Sequence, residues 1–422
     1  MNSSTSSSTV VEAAPPPFRW RSTTRAQRRT VVAAGLGWML DAFDVMLYSI
    51  VLTTLMRTFG MSKGTAGMLN TLTLIASAIG SVIFGVLADR MGRRRMLSLS
   101  ILTYSLFTFA CGFSTSITML AVFRFLLGLG MGGEWNSGAT LVAETWPSAW
   151  RGRALALVQC SWAIGYALAA LVAGLVLTHA NWRWVFFVGV LPALVVVWIQ
   201  HGVPEPEIWR QQISKASSSV TAKSAQWRAA LPRLLVLLGM NTFGMFAWWG
   251  LFTWIPAYLA LPSSNGGRDF GNLGFTAFLT ILNLCGMLPG YLLFGVLADK
   301  LGRKRALIAY LILAALSVPA FAAARKPGWI LFTACIAAFF GTGFFTGSGI
   351  IGSELFPTSI RATALGISYN AARGLSAFAP FLIGTIGETH GLTWGFALCG
   401  IAFAAAACTA FWIPETRGTE LN

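Results

Sequence analysis

The chain is short of charge, and of acidic charge most of all. Only 10% of its 422 residues are charged, and 14 Asp and Glu stand against 30 Lys and Arg. A soluble protein carries about 25% charged residues, so a chain that is 55% hydrophobic turns most of its surface to lipid. Histidine is scarce too. His179, His201 and His390 all lie near the ends of apolar runs, so a proton carried inside those runs must ride on a carboxyl group. The six Cys, at 111, 160, 285, 335, 399 and 408, fall in or beside apolar runs without metal-ligand spacing. They read as packing residues and give neither a disulfide nor a zinc framework. No nucleophile–base constellation or cofactor loop stands out, which argues against an enzyme and predicts no cofactor. The Gly-rich runs at 128–133 and 341–349 follow no strand, so they read as close helix contacts, not phosphate loops. The Ser-rich segment 1–30 has no short apolar core before a small-residue cleavage site; it is expected to be a disordered tail and not a signal peptide.

What the chain does have is apolar length. Stretches of about twenty apolar residues give twelve candidate spans, six in each half: an all-α membrane protein. The expected layout is a first lobe over 31–200, a linker over 201–232, a second lobe over 233–414 and a short tail over 415–422.

The halves repeat. Phe84–Arg95 reads FGVLADRMGRRR, and Phe294–Arg305, 210 residues on, reads FGVLADKLGRKR. At the same offset, Glu144–Arg151 (ETWPSAWR) returns as Glu354–Arg361 (ELFPTSIR). Two matches at one spacing mark a duplicated unit of membrane helices, the layout of a two-lobed transporter with its site between the lobes.

The basic excess follows that layout. With the N-terminus inside, 22 of the 30 Lys and Arg fall on inner segments and six on outer loops, while Arg124 and Arg373 lie within spans. This positive-inside bias places both termini in the cytoplasm and accounts for the formal +16 charge without nucleic acid. All four duplicated clusters land on that inner face. Asp89, Arg90, Arg93 and Arg94 follow span 2, and Asp299, Lys300 and Arg303 follow span 8. Glu144 and Arg151 flank Pro147 after span 4; Glu354 and Arg361 flank Pro357 after span 10. Together they read as a cytoplasmic gate whose charge network breaks when the lobes rock apart, with simple anchoring of helix ends as the alternative.

GxxxDRxGRR after span 2, its copy after span 8, and Arg124-x3-Gly128-x-Gly130 resemble the major facilitator superfamily over residues from about 30 to 415. More narrowly, LDAFDVMLYSIVLT in span 1, RFLLGLGMGGEWNSGATLVAETWP through span 4 and WRWVFFVGVLPA in span 6 resemble the sialate and monocarboxylate proton symporters. That group includes bacterial sialic acid transporters and lactate permeases. The resemblance implies uptake of an organic carboxylate with protons. Ala42 stands where the related pattern has glycine, and the linker is too short for the extra helices of some sialate carriers. Carboxylate–proton symport is therefore implied more firmly than sialate.

Five ionisable groups stand well inside spans: Asp41, Asp44, Arg124, Glu134 and Arg373. Each costs at least about 2.5–3.5 kcal/mol at mid-membrane depth, which marks it as functional. Asp41 and Asp44 share a helix face one turn apart, and repulsion between close carboxylates favours a proton on one of them. Asp44 is the expected main proton site, with Arg124 tuning it, Asp41 second, and Glu134 either a relay or part of the gate. A static Asp–Arg packing pair is the competing reading. Arg373 has no mid-span acid in its own half, so its partner is an acid of the first lobe, a bound anion or the substrate. Its bidentate fork suits a substrate carboxylate. Asn370, one turn earlier, and Gln159, Asn241, Asn283 and Tyr369 are candidate substrate contacts, and Asn136, Trp248 and Trp249 are further candidates for the cavity wall, with helix packing as the alternative. The expected partners are a small organic anion, protons and the bilayer of the inner membrane, with the protein working as a monomer. Proton-coupled efflux of organic ions or drugs, and a membrane sensor that transports nothing, remain as the alternatives.

Overall fold

The computed structural model describes residues 20–205 and 220–417. Side chains at 89, 148–149, 151–152, 200, 220–225, 358–359 and 362 also lie outside the description. Most of the expected N-terminal tail, the middle of the linker and the last residues of the C-terminal tail therefore fall outside it. The described backbone is helical, without strands.

The first lobe comprises α1 (Arg25–Phe59), α2 (Lys63–Met91), α3 (Arg93–Cys111), α4 (Ile117–Thr145), α5 (Ser148–His179), α6 (Trp182–Val188) and α7 (Ala193–Gly202). The second holds α8 (Val220–Ala260), α9 (Asn272–Ile281), α10 (Leu288–Leu301), α11 (Arg303–Ala323), α12 (Pro327–Leu355), α13 (Thr358–Ser376), α14 (Ala379–Thr389) and α15 (Leu392–Ala410). A π-helical turn, Leu282–Met287, joins α9 to α10. Among the described residues, ten segments are long and apolar enough to cross a membrane. The expected spans 3 and 11 fall short of that standard because they are polar: α3 opens with three Arg, and α13 carries Arg361, Asn370 and Arg373.

Local chemistry sets the boundaries. Helix α1 starts at Arg25, inside the expected tail, because Thr24 and Gln27 form a reciprocal capping box with bonds of 2.9 and 3.2 Å. Helix α8 likewise reaches back into the expected linker. Spans 6 and 11 are each two helices: Pro192 follows the first break, and Ala377 and Phe378 separate α13 from α14 just before Pro380. Gly92 ends α2 and starts α3 at φ 105°; Gly302 does the same between α10 and α11 at φ 101°. Few side chains tolerate that backbone, which explains why glycine recurs at both copies.

Within each lobe, α4 packs on α2 and α3, α5 on α1, α11 on α12 and α15, and α8 on α13 and α15. Between lobes, α2 meets α13 and α14, α5 meets α9 and α10, and α1 meets α8. The lobes are sealed at the end away from the charged loops. There Lys63 Nζ donates to the Gly387 carbonyl (2.9 Å), Gly64 N to Glu388 Oε2 (3.2 Å) and Asn272 Nδ2 to the Gly174 carbonyl (3.1 Å). Asn70 Nδ2 also donates to Thr253 Oγ1 (2.9 Å), and a side chain at Gly67 would collide with the Pro380 carbonyl.

Candidate functional site

Six helices converge on a narrow cavity between the lobes. Trp38 comes from α1, Gln159 and Trp162 from α5, Trp248 and Trp249 from α8, Tyr291 from α10, Phe345 from α12, and Tyr369 and Arg373 from α13. Its walls are aromatic. Ring centroids lie 4.8 Å apart for Trp38–Trp162, 5.8 Å for Trp162–Trp248 and 5.0 Å for Trp248–Trp249. Trp135 closes one side, 4.6 Å from Trp38 and stacked on Tyr369 at 5.6 Å.

Arg373 is the cavity's single cation. Its guanidinium carbon lies 5.6 Å from the Trp249 ring centre, its Nη1 has no hydrogen-bond partner, and the residue is 2% exposed. Among the described residues no carboxylate reaches it within ion-pair distance, although Asp41 and Glu134 interact with it electrostatically. A cation over an aromatic face is attracted to it, which offsets part of the burial cost but leaves the fork's donors available. Of the predicted polar neighbours, Gln159 and Tyr369 line the cavity; Gln159 Oε1 has no partner. Asn370 instead donates to Asn136 Oδ1 (3.0 Å) across the lobes and to the Gly366 carbonyl (3.0 Å). Asn241 and Asn283 are buried but lie outside the cavity wall; Asn283 Nδ2 is spent on the Leu279 carbonyl (2.8 Å).

The acids form a column along α1. Asp44, Asp41 and Gly37 stand on successive turns of one face. Gly37 leaves the space that Glu134 of α4 occupies: a β-carbon there would sit 2.5 Å from Glu134 Oε1. Both Asp44 oxygens, Asp41 Oδ2 and Glu134 Oε2 have no protein hydrogen-bond partner. Arg124 is not part of this column. Its guanidinium lies over the Tyr48 ring at 4.2 Å and donates to Asn70 Oδ1 at 2.8 Å, while Asp44 lies near Gly189. The expected Asp44–Arg124 pairing is thus not among the described contacts. Asn70 and the Tyr48 ring on neighbouring helices meet the guanidinium, while its Nε and Nη1 have no hydrogen-bond partner.

On the charged face, the described ion pairs tie helices within a lobe. Arg93 meets Glu144 at 3.2 Å; Arg303 meets Glu354 at 3.4 Å and Asp299 at 2.8 Å. Arg90 and Lys300 are exposed, and Arg361 Nε donates to the Phe356 carbonyl at 3.1 Å. The side chains of Asp89 and Arg151 lie outside the described residues. Two further acids belong to this network. Glu205 accepts from the backbone N–H groups of Arg93 and Arg94 at the start of α3, and Glu415 accepts from Arg303 N at the start of α11 (2.8 Å). They stand 210 residues apart in Val-Pro-Glu and Ile-Pro-Glu, a third copy of the same repeat. Burial pushes the Glu415 carboxyl up, but backbone N–H donors of Arg417, Arg303, Thr416 and Lys304 outweigh that and hold it below the ordinary carboxylate range.

The Major Facilitator Superfamily pattern matches residues 34–265 and 259–422. The chain is 33% identical over 393 residues to the cis,cis-muconate transport protein of Acinetobacter baylyi, covering 91% of this chain and 94% of that one. It is 31% identical over 386 residues to the sialic acid transporter NanX of Escherichia coli, covering 90% and 92%. In fold it is similar to the xylose transporter XylE of Escherichia coli, with a TM-score of 0.76 at 18% identity over 94% of this chain and 100% of that one. The duplicated helices, the central cavity and these matches agree that the chain is a transporter of small organic molecules belonging to the major facilitator superfamily.

Proposed function

We propose that this transporter takes up a flat, unsaturated organic carboxylate together with protons. The carrying observation is Arg373, which lines a cavity walled by indole and phenol rings and has an unbonded Nη1. A guanidinium holds a carboxylate through two parallel N–H donors, while the ring faces hold a planar π-system by stacking. A polyhydroxylated sugar acid fits less well, since few polar side chains line that wall. That one relative is named for cis,cis-muconate, a conjugated acid, supports the same choice over the sialic acid of NanX.

In this mechanism a proton arrives at Asp44 from the sealed face and passes down the α1 column through Asp41 to Glu134. Asp41 and Glu134 share electrostatic reach with Arg373, so neutralising them changes what Arg373 holds. With the acids charged, they compete with the substrate carboxylate for the guanidinium; once they are protonated, the substrate anion takes their place. Coupling follows if loaded and empty forms switch between outward and inward states while half-loaded forms switch poorly. The positive-inside distribution supports an inner-membrane topology with both termini in the cytoplasm and the charged face inward, and the monomer is taken as the working unit. The charged loops then brace each lobe as a rigid body on the cytoplasmic side.

Counterflow tests this against a non-transporting sensor and against drug efflux. Proteoliposomes preloaded with an unlabelled conjugated acid are expected to accumulate label of the same acid transiently. Label that binds but never exchanges across the sealed membrane contradicts transport, and exchange of organic cations instead contradicts the substrate class.

A further inference from the structure

A second cleft, of about 310 Å³, opens on the charged face at the rim of the first lobe, between the start of α1, the start of α3 and the end of α7. Arg25, Arg29, Arg94 and His201 line it. The fold explains part of this charge. Arg29 Nη1 donates to the Gly202 carbonyl (2.9 Å) and Arg94 Nη1 to the Val203 carbonyl (3.3 Å), which caps the end of α7. Arg94 Nε also lies 3.9 Å from Glu205, the cleft's neighbouring acid. Glu205 offsets one guanidinium only, and it is already engaged by the N–H groups of Arg93 and Arg94. Arg25 makes no described hydrogen bond or ion pair, so among the described residues the cleft keeps an excess of cationic charge.

Part of this basic lining is not repeated in the second lobe. At the offset of 210 that relates the charged loops, the positions of Arg94 and His201 are Lys304 and Phe411 in the second lobe. Only the lysine keeps a charge there, and its Nζ donates to the Phe411 carbonyl (2.7 Å). Beside the first-lobe cleft, α7 turns Leu194, Val197 and Trp198 outward, and the Trp198 ring lies against Gly202 at the cleft's edge. Phosphate-binding donors thus sit directly above an exposed apolar stripe of a membrane helix.

We propose that this cleft binds a phosphate group, supplied by the headgroup of an anionic phospholipid whose chains lie along α7. Paired guanidinium groups suit phosphate oxygens, and basic recesses between helices on the cytoplasmic side suit anionic headgroups. The site does not depend on the carboxylate reading of the central cavity. Purified full-length protein is titrated calorimetrically with dioctanoyl phosphatidylglycerol, dioctanoyl phosphatidylcholine and inorganic phosphate. Phosphatidylglycerol is expected to bind at least about tenfold more tightly than phosphatidylcholine, and R25Q/R29Q to weaken it by about tenfold or more. R25K/R29K, which keeps the charge and guards against misfolding, is expected to stay within about threefold of the parent, as is R28Q/R95Q, which removes equal charge outside the cleft. Equal phosphatidylglycerol affinity in the parent and R25Q/R29Q overturns the site. Phosphate binding as tightly as phosphatidylglycerol, with the same loss in R25Q/R29Q, overturns the lipid as its source.

Discussion

Arg373 lies with its guanidinium 5.6 Å from the centre of the Trp249 ring, one donor nitrogen unbonded, in the cavity that both lobes enclose. A buried cation with an aromatic face and no acid in contact is stable enough to persist yet free to accept an anion. Arg373→Ala is expected to lower uptake by about 10- to 100-fold, the loss of a charge-assisted hydrogen-bonded pair. Arg373→Lys keeps the charge but not the fork, so it is expected to raise KM by about tenfold while transport remains measurable. Initial uptake rates over a range of substrate concentrations check both.

The aromatic wall predicts selectivity. Trp162 lies between Trp38 and the Trp248–Trp249 pair. Trp162→Leu is expected to weaken a conjugated acid by about 3- to 10-fold, the worth of one aromatic contact, and to leave a saturated acid of equal length nearly unchanged. Competition between the two acids in counterflow reads that ratio directly.

Coupling separates from binding at the acids. Asp44→Asn is expected to keep exchange of labelled for unlabelled substrate but to lose accumulation driven by a proton gradient. Its exchange rate becomes less sensitive to external pH, because a proton no longer has to load before the switch. Accumulation by Asp44→Asn at the parent level assigns the coupling proton elsewhere, with Asp41 and Glu134 next in the column.

Asn370 and Asn136 offer a test of which role Asn370 plays. If their 3.0 Å bond ties the lobes together, Asn136→Ala and Asn370→Ala shift substrate affinity in the same direction and by similar factors. Separate effects, with KM raised only by Asn370→Ala, return Asn370 to the substrate.

The charged face predicts a pH response of stability. The Glu415 carboxyl is held below its ordinary range by backbone donors, so its folded-state pKa lies under its unfolded value. Its stabilisation is then present at neutral pH and is lost as pH falls through and below the ordinary carboxylate range. Glu415→Gln is expected to lower the thermal unfolding midpoint at pH 7 and to narrow that gap at pH 4. Gly92→Ala and Gly302→Ala, which force a side chain to φ near 100°, are each expected to lower the midpoint by several degrees.

Much of the architecture was legible because duplication leaves exact spacing behind. The 210-residue offset marks the two lobes and their charged loops, and the same offset carries Glu205 to Glu415, a match too short on its own to stand out in the sequence. The five buried charges were also visible, since ionisable residues in apolar runs are rare. The aromatic wall was legible only in part: Trp248, Trp249 and Tyr369 were expected cavity residues and line it. Trp38, Trp162 and Tyr291 look like ordinary packing residues along one helix, and only the convergence of six helices makes them a cavity. Arg124 is a related case: comparable depth in two helices does not say which faces meet, and its described contacts are Tyr48 and Asn70.

The most direct test is internal pH in proteoliposomes that hold a trapped dye, challenged from outside with cis,cis-muconate, benzoate, lactate and sialate. Internal acidification by the conjugated or aromatic acids, absent in Arg373→Ala, is the predicted result. Acidification by those acids that survives Arg373→Ala, or proton movement with organic cations only, contradicts the account.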